Sequence, residues 1–210
     1  MSKYLWKSML KGPKSANGSK GAWKIGEWRK ASGELEMCDN GYHASLSVID
    51  AMQYVAAEVM AQVEVRGKHL SQDDKQCWEQ MRVVKWWEWT KKDSVRLAVY
   101  AAELVIDIYE KKYPDDKRPR NAIEAAKKWL TEPNEKNGAA ASAASEAASA
   151  ARAAWAARAA SAAADAAGAA AGAAWVAWVA SAAASEAAEA DLKAKCHRFV
   201  LRLLKEKEAR

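Results

Sequence analysis

Residues 139–190 read AAASAASEAASAARAAWAARAASAAADAAGAAAGAAWVAWVASAAASEAAEA. Alanine loses no side-chain entropy in a helix and buries no polar group, so this stretch is expected to be helical almost throughout. It has no proline, and its only glycines are Gly168 and Gly172. Ser142, Ser145, Ser149 and Arg152 recur at steps of three and four, as do Arg158, Ser161, Asp165, Gly168 and Gly172. That period gathers the polar residues on one stripe and leaves a broad face of methyl groups. A single helix of this length would run roughly 78 Å, too long for a compact domain. The stretch is therefore expected to fold back into at least two close-packed helices, turning between Arg158 and Ala163 or near Gly168–Gly172. Trp155, Trp175 and Trp178 then fill a small-residue core or line an exposed stripe. A membrane span is excluded, because Arg152, Arg158, Asp165 and Glu186 interrupt every long apolar window.

Helical periodicity begins upstream, near Asp93. Asp93 or Ser94 is expected to cap a helix with Leu97, Ala101, Leu104, Val105, Ile108 and Tyr109 on its buried side. Tyr113-Pro114-Asp115-Asp116 ends it, and Pro119 sits where a first helical turn tolerates proline. Asn121 to Leu130 is a short amphipathic helix, Thr131 to Gly138 a polar loop, and Leu192 to Glu206 a last helix with a stripe of Leu192, Cys196, Phe199, Val200, Leu203 and Leu204.

Before Asp93 the period is two. Val59 to Arg66 alternates as a half-buried strand ended by Gly67, and Met81 to Trp89 is a second strand. Leu35–Cys38 reads as a strand between the turn signals Ser32-Gly33 and Asp39-Asn40-Gly41, and Ala22 to Trp28 as another short one. Ser45 or Ser47 caps a short helix carrying Val48, Ile49, Met52 and Val55. The expected fold is α+β: a small α+β domain over 1–92 with a basic N-terminal arm, followed by a larger alanine-rich helical bundle over 93–210.

The net charge of +6 is local. Lys3, Lys7, Lys11, Lys14, Lys20, Lys24, Arg29 and Lys30 face Glu27 alone, so residues 1–30 carry +7 and the other 180 carry −1. Interleaved with Trp6, Trp23 and Trp28, this arm is a candidate for phosphate contact and base stacking. The plainer reading is a solubilising leader before the first strand. Met1 to Lys20 holds no apolar segment and reads as neither signal peptide nor transmembrane helix. Cys38, Cys77 and Cys196 are odd in number and far apart, which suits a reducing cytoplasmic compartment.

Catalytic constellations are scarce. There is no HExxH, no CxxC pair, no phosphate loop and no GxSxG elbow, so neither a metal nor a cofactor is expected. His43 is the weak catalytic candidate, since it follows a turn at a strand edge; His69 and His197 stand apart. Asp73 and Asp74 are adjacent and point apart, a poor carboxylate pair, with Lys75 as a surface ion-pair partner. Trp86, Trp87 and Trp89 alternate on one strand, so at least one face is expected to leave aromatic surface for a partner; with Trp175 and Trp178 they are the candidate partner-binding residues.

Two stretches resemble known families. Residues 93–130, DSVRLAVYAAELVIDIYEKKYPDDKRPRNAIEAAKKWL, with the alanine helices that follow, resemble the immunity-protein-five-like family over about 93–190. The matching elements are the capped helix, the Tyr-Pro-Asp-Asp turn and the Arg-Pro-Arg-x-Ala-Ile-Glu-Ala-Ala helix; Trp175 and Trp178 stand where that family tends to have histidine. NGYHAS at 40–45, then a helix, an alternating strand, a glycine and DDK, resembles an uncharacterised domain common in bacteriophage proteins. Together the resemblances imply an accessory protein of a phage or mobile element, and the scarcity of catalytic constellations favours one that is not an enzyme. Such a protein would bind and inhibit a bacterial defence or toxin protein in the host cytoplasm, with no membrane contact. Two other classes compete: a nucleic-acid binder through the basic arm, and an enzyme centred on His43, because Gly41 to Ser45 with the Tyr54 helix and its strand is faintly similar to ADP-ribosyltransferase-like sheets.

Overall fold

The computed structural model describes residues 4–16, 21–55, 57–112, 114–138 and 186–209. The readings made above for residues 139–185, with Trp155, Trp175 and Trp178, lie outside these residues, as do those for Lys3 and Lys20. The chain is mixed α+β and divides into two units, Met1–Trp89 and Thr90–Arg210.

The first unit is a five-stranded antiparallel sheet. Its strands are β1 (Leu5–Met9), β2 (Arg29–Lys30), β3 (Tyr42–Ala44), β4 (Val59–Ser71) and β5 (Gln76–Glu88), with one short helix, α1 (Val48–Met52). The order is β1-β4-β5-β2, and β3 also pairs with β5. The frame is the β4–β5 hairpin, two strands of 13 residues each. Its proximal half alternates because one face packs on Leu5, Met9, Trp23, Ala44, Met81 and Val83.

Three expectations change here. Gly67 does not end β4: the strand passes through it at φ +87° with a shift of register between Arg66 and His69. Glycine serves a bulge at this point, since a left-handed residue lets the strand bend and continue. Leu35–Cys38 is a tight turn closed by an isolated bridge between Glu36 and Asn40, and Ala22 to Trp28 contributes only single bridges. The first residues do hold a core segment, because β1 pairs with β4 from Leu5↔Val63 to Met9↔Val59 and buries Leu5, Trp6, Ser8 and Met9. Basic residues on either side hid this short amphipathic strand. Ser47, one of the two caps considered, accepts from the N–H of Ile49 at the start of α1.

The second unit contains α2 (Lys91–Glu103), α3 (Ile106–Lys112), α4 (Arg118–Thr131) and α5 (Glu186–Glu208). α2 begins one turn earlier than Asp93. Thr90 is the cap, its side chain accepting from the Asp93 N–H while Asp93 reaches back to the Thr90 N–H. This reciprocal box satisfies two of the orphan donors at a helix start. The apolar run from Leu97 to Tyr109 is two helices, broken at Leu104–Val105. Pro119 stands in the first turn of α4, with Ala122, Ile123 and Ala126 buried.

α5 runs past the predicted ends and buries Leu192, Cys196, Val200, Leu203 and Leu204. Three contacts tie it to α2. Tyr100 and Phe199 stack at 4.2 Å, Arg96 and Glu206 pair through both nitrogens, and Lys207 reaches the buried Asp93 at 2.7 Å. No helix among the described residues is long and apolar enough to cross a membrane.

Candidate functional site

A cleft of about 450 Å³ opens on the first unit, and His43 lies in its wall. β3 places this residue opposite Cys77 on β5. The sharp turn before β3 brings Cys38 back over the ring, so that His43 Nε2 accepts from the Cys38 backbone N–H at 3.0 Å. An accepting Nε2 means a neutral imidazole with its proton on Nδ1. Burial, then Lys7, then Lys75 each push the His43 pKa below its ordinary value, which agrees with that tautomer.

Two ammonium groups flank the histidine. Lys7 Nζ, from β1, donates to the His43 carbonyl oxygen at 2.9 Å. Its side chain is partly exposed along its length, yet burial of the charged end lowers its pKa to about 8. Lys75 Nζ lies 3.0 Å from Cys38 Sγ and 4.3 Å from the Tyr54 ring centre. Cys38 is exposed and holds φ +72°, the one non-glycine in the left-handed region among the described residues. A left-handed cysteine costs backbone energy and is held only by its surroundings. The Tyr54 hydroxyl donates to Asp74, and burial with that bond raises its pKa. Cys77 lies beneath, buried, with Asn40 and Glu36 carbonyls near its sulfur and its pKa pushed up by burial. The expected Lys75 surface ion pair with its aspartate neighbours is replaced by these contacts.

The sheet takes up part of the basic arm. Trp6 is 5 % exposed and stacks on Trp87, and Trp23 is 4 % exposed, its indole N–H bonded to Ser15. Trp28 sits under the Arg66 and Arg82 guanidiniums. Lys7 is drawn into the cleft, and Arg29 donates to the Gly21 and Ala22 carbonyls while lying over Trp23. Lys11, Lys14, Lys24 and Lys30 remain at the surface. Trp6 and Trp23 therefore have no free ring faces for bases, because covering the hairpin needs large apolar groups on both sides.

The same burial extends to the tryptophan strand. Trp86 is partly buried against the sheet core, Trp87 is 8 % exposed and Trp89 4 % exposed, so these rings are mostly covered. Among the described residues Trp87 Nε1 is the buried side-chain donor without a hydrogen-bond partner. Trp87→Phe would keep an aromatic against Trp6 and remove that orphan N–H. Stability is expected to change by less than about 1 kcal/mol, relief of the orphan N–H offsetting the lost ring packing, read as a shift in urea midpoint; a loss above about 2 kcal/mol would show that packing of the larger ring outweighs the unpaired N–H.

The second unit places its charged side chains differently. Arg120 reaches Glu110 and Asp107, Arg118 pairs with Asp116, and Ile108 on α3 is 60 % exposed. The Arg118 guanidinium and the Tyr109 hydroxyl hold the Asp116 carboxyl well below its usual range.

A family model described as Imm-5 like putative immunity protein matches residues 87–201, more than half of the chain. The chain belongs to this immunity family. A second model, a domain of unknown function called DUF7666, matches residues 7–96, the sheet unit. No curated protein and no solved structure matches the chain.

The sequence singles out His43, which lines the cleft, and not the three side chains around it. Lys7 was counted as one of eight arm charges, Lys75 as half of a surface pair, and Cys38 as an isolated thiol. The turns at 36–40 and 72–75 deliver Cys38 and Lys75, and Lys7 arrives on β1, so no local pattern links the three. His69, set apart earlier, stacks on Trp78 at 4.2 Å across the hairpin. His197 is half-buried on α5, its pKa lowered by burial and Arg198. Among the described residues no group of three His, Cys, Asp or Glu side chains is arranged to hold a metal ion.

Proposed function

We propose that the helical unit binds a toxin or host-defence protein of a bacterial cell and blocks it stoichiometrically, as an accessory protein of a phage or mobile element. The observation that carries this reading is where the family match falls: residues 87–201 run from α2 into α5. A blocking protein needs a surface held in shape before the encounter, since ordering side chains on binding costs affinity. The α2–α5 ties supply that rigidity.

The contact surface we assign is α3 with the start of α4. Ile108 is an exposed apolar side chain on the same short helix as Asp107 and Glu110, which the Arg120 fork holds at 3.3 Å and close beside it. An apolar anchor with arginine-ordered charges around it is the composition of interface hot spots. The reading is tested by capturing the partner from a bacterial lysate with the full chain, identifying it, and titrating its activity. Inhibition should be complete at one chain per target, and Ile108→Asp should weaken it by about tenfold or more, equal to about 1.4 kcal/mol. Inhibition that persists with target in large excess would establish turnover and overturn the proposal.

A further inference from the structure

We propose that the cleft of the sheet unit binds a small phosphorylated molecule, with its phosphate held between the ammonium groups of Lys7 and Lys75. This goes beyond the blocking role assigned to the helical unit and stands or falls without it. The cleft, at about 450 Å³, is of the size that takes a small ligand. Its walls carry Lys7, Arg29 and Lys75 against one acid, Asp39. Elsewhere in the same unit cations meet carboxylates: Lys30 pairs with Glu79 and Arg82 with Glu64. Neither Lys7 nor Lys75 has a carboxylate within ion-pair distance among the described residues. Lys7 has a carbonyl oxygen, and Lys75 a sulfur and a ring face.

A desolvated ammonium without a counter-charge is costly, and proteins keep such groups where a ligand supplies the charge. Both lysines line the same cleft as His43, and, after burial, the charge of each lowers its pKa. A phosphate monoester carries close to two charges near pH 7 and strong acceptor oxygens, a fit to two convergent ammoniums. Arg29 is committed to backbone carbonyls and adds field without a free fork. The exposed Tyr54 ring at the rim is available to the organic part of the ligand.

The pH dependence follows from Lys7. Around it stand His43 from β3, Cys77 from β5, Lys75 from the hairpin turn and Cys38 from the 36–40 turn; α1, packed on β1, carries Asp50, which accepts from Gln53. His43 and Cys77 are both shifted away from their charged forms, so neither gains charge near neutrality. Lys7 is charged below about pH 8 and neutral above it. Phosphate monoesters keep constant charge over that range, their second pKa being about 6. Affinity should therefore be flat between about pH 7 and pH 8 and fall above that.

The experiment is calorimetric titration of the full chain with ribose 5-phosphate and with adenosine monophosphate. We expect saturable binding of at least one ester. It should weaken about tenfold or more from about pH 7 to about pH 9.5, as a site needing a protonated lysine of pKa near 8 requires. Lys7→Met and Lys75→Met should each weaken it at least about tenfold, while Lys24→Ala, outside the cleft and beside Glu27, should leave it unchanged. Lys7→Met removes a desolvated charge and keeps the chain length, so it should melt no lower than the parent; should it unfold, Lys75→Met carries the test. No saturation with either ester at millimolar concentration would overturn the proposal. So would binding that survives both lysine substitutions, or binding indifferent to pH.

Discussion

Asp93→Ala should destabilise the helical unit by about 3 kcal/mol, far more than removal of an ordinary helix cap. Asp93 is 5 % exposed and holds three donors at once: the Thr90 N–H at 2.8 Å, the Thr90 hydroxyl at 2.6 Å and the Lys207 ammonium at 2.7 Å. Alanine leaves the N–H of the capping box unmet and strands a lysine that is itself mostly covered, at 26 % side-chain exposure. Breaking a buried pair from one side costs about 3–5 kcal/mol, and the partial exposure of Lys207 discounts that to the lower end. Thr90→Ala removes only the cap and should cost about 1 kcal/mol. In Asp93→Ala/Lys207→Met no charge is left alone, so the double variant should recover part of the loss. Thermal or urea unfolding of the three variants decides it; a cost for Asp93→Ala no larger than that for Thr90→Ala would mean that the Lys207 contact is absent in solution.

That network also shows what a sequence can and cannot disclose. A helix start near Asp93 was legible from Asp93 and Ser94 before an apolar run of period 3.6, but the cap is Thr90, three residues earlier. The residue bonded to Asp93 lies 114 positions away, and no local pattern names it. The β4–β5 hairpin was legible in its proximal half, where one face is buried and the alternation is clean. Its distal half was not, since residues 66–71 are exposed on both faces and carry no period. β1 was hidden for the opposite reason, a buried strand of five residues inside a basic context. The cleft was half visible: a histidine after a turn is a signal, whereas lysines that converge from β1 and from a hairpin turn are a product of topology. The break at Leu104–Val105 fell inside an unbroken apolar period, because two short helices can bury the same stripe that one long helix would.

Gly41→Ala should be at least as damaging to the sheet unit as Asp93→Ala is to the helical one. Gly41 lies between the Asn40 carbonyl that touches Cys77 and the strand that carries His43. Its φ of +134° is a conformation that side-chain-bearing residues rarely adopt. A methyl group there would collide with Cys77 Sγ and press on Leu35 Cδ2 at 3.1 Å, so at least the buried cysteine must shift. Backbone strain of about 1–3 kcal/mol and overpacking of about 1–3 kcal/mol add to roughly 4 kcal/mol. A loss of that size is a large part of the stability of a small domain. Gly26 separates the two causes, having φ +82° with nothing within 4 Å of an added methyl group. Gly26→Ala should therefore show the backbone cost alone. Adding Cys77→Ala to Gly41→Ala removes the sulfur from the collision, so the pair should be more stable than the sum of the single changes by about 1 kcal/mol or more. Hydrogen exchange at β3 and β5 reads the effect where it arises. Strict additivity of the two substitutions would show that the cysteine is not what excludes a side chain at position 41. The same substitution should abolish ester binding, because the turn at 36–40 that sets Cys38 beside Lys75 is anchored through Asn40 and Gly41.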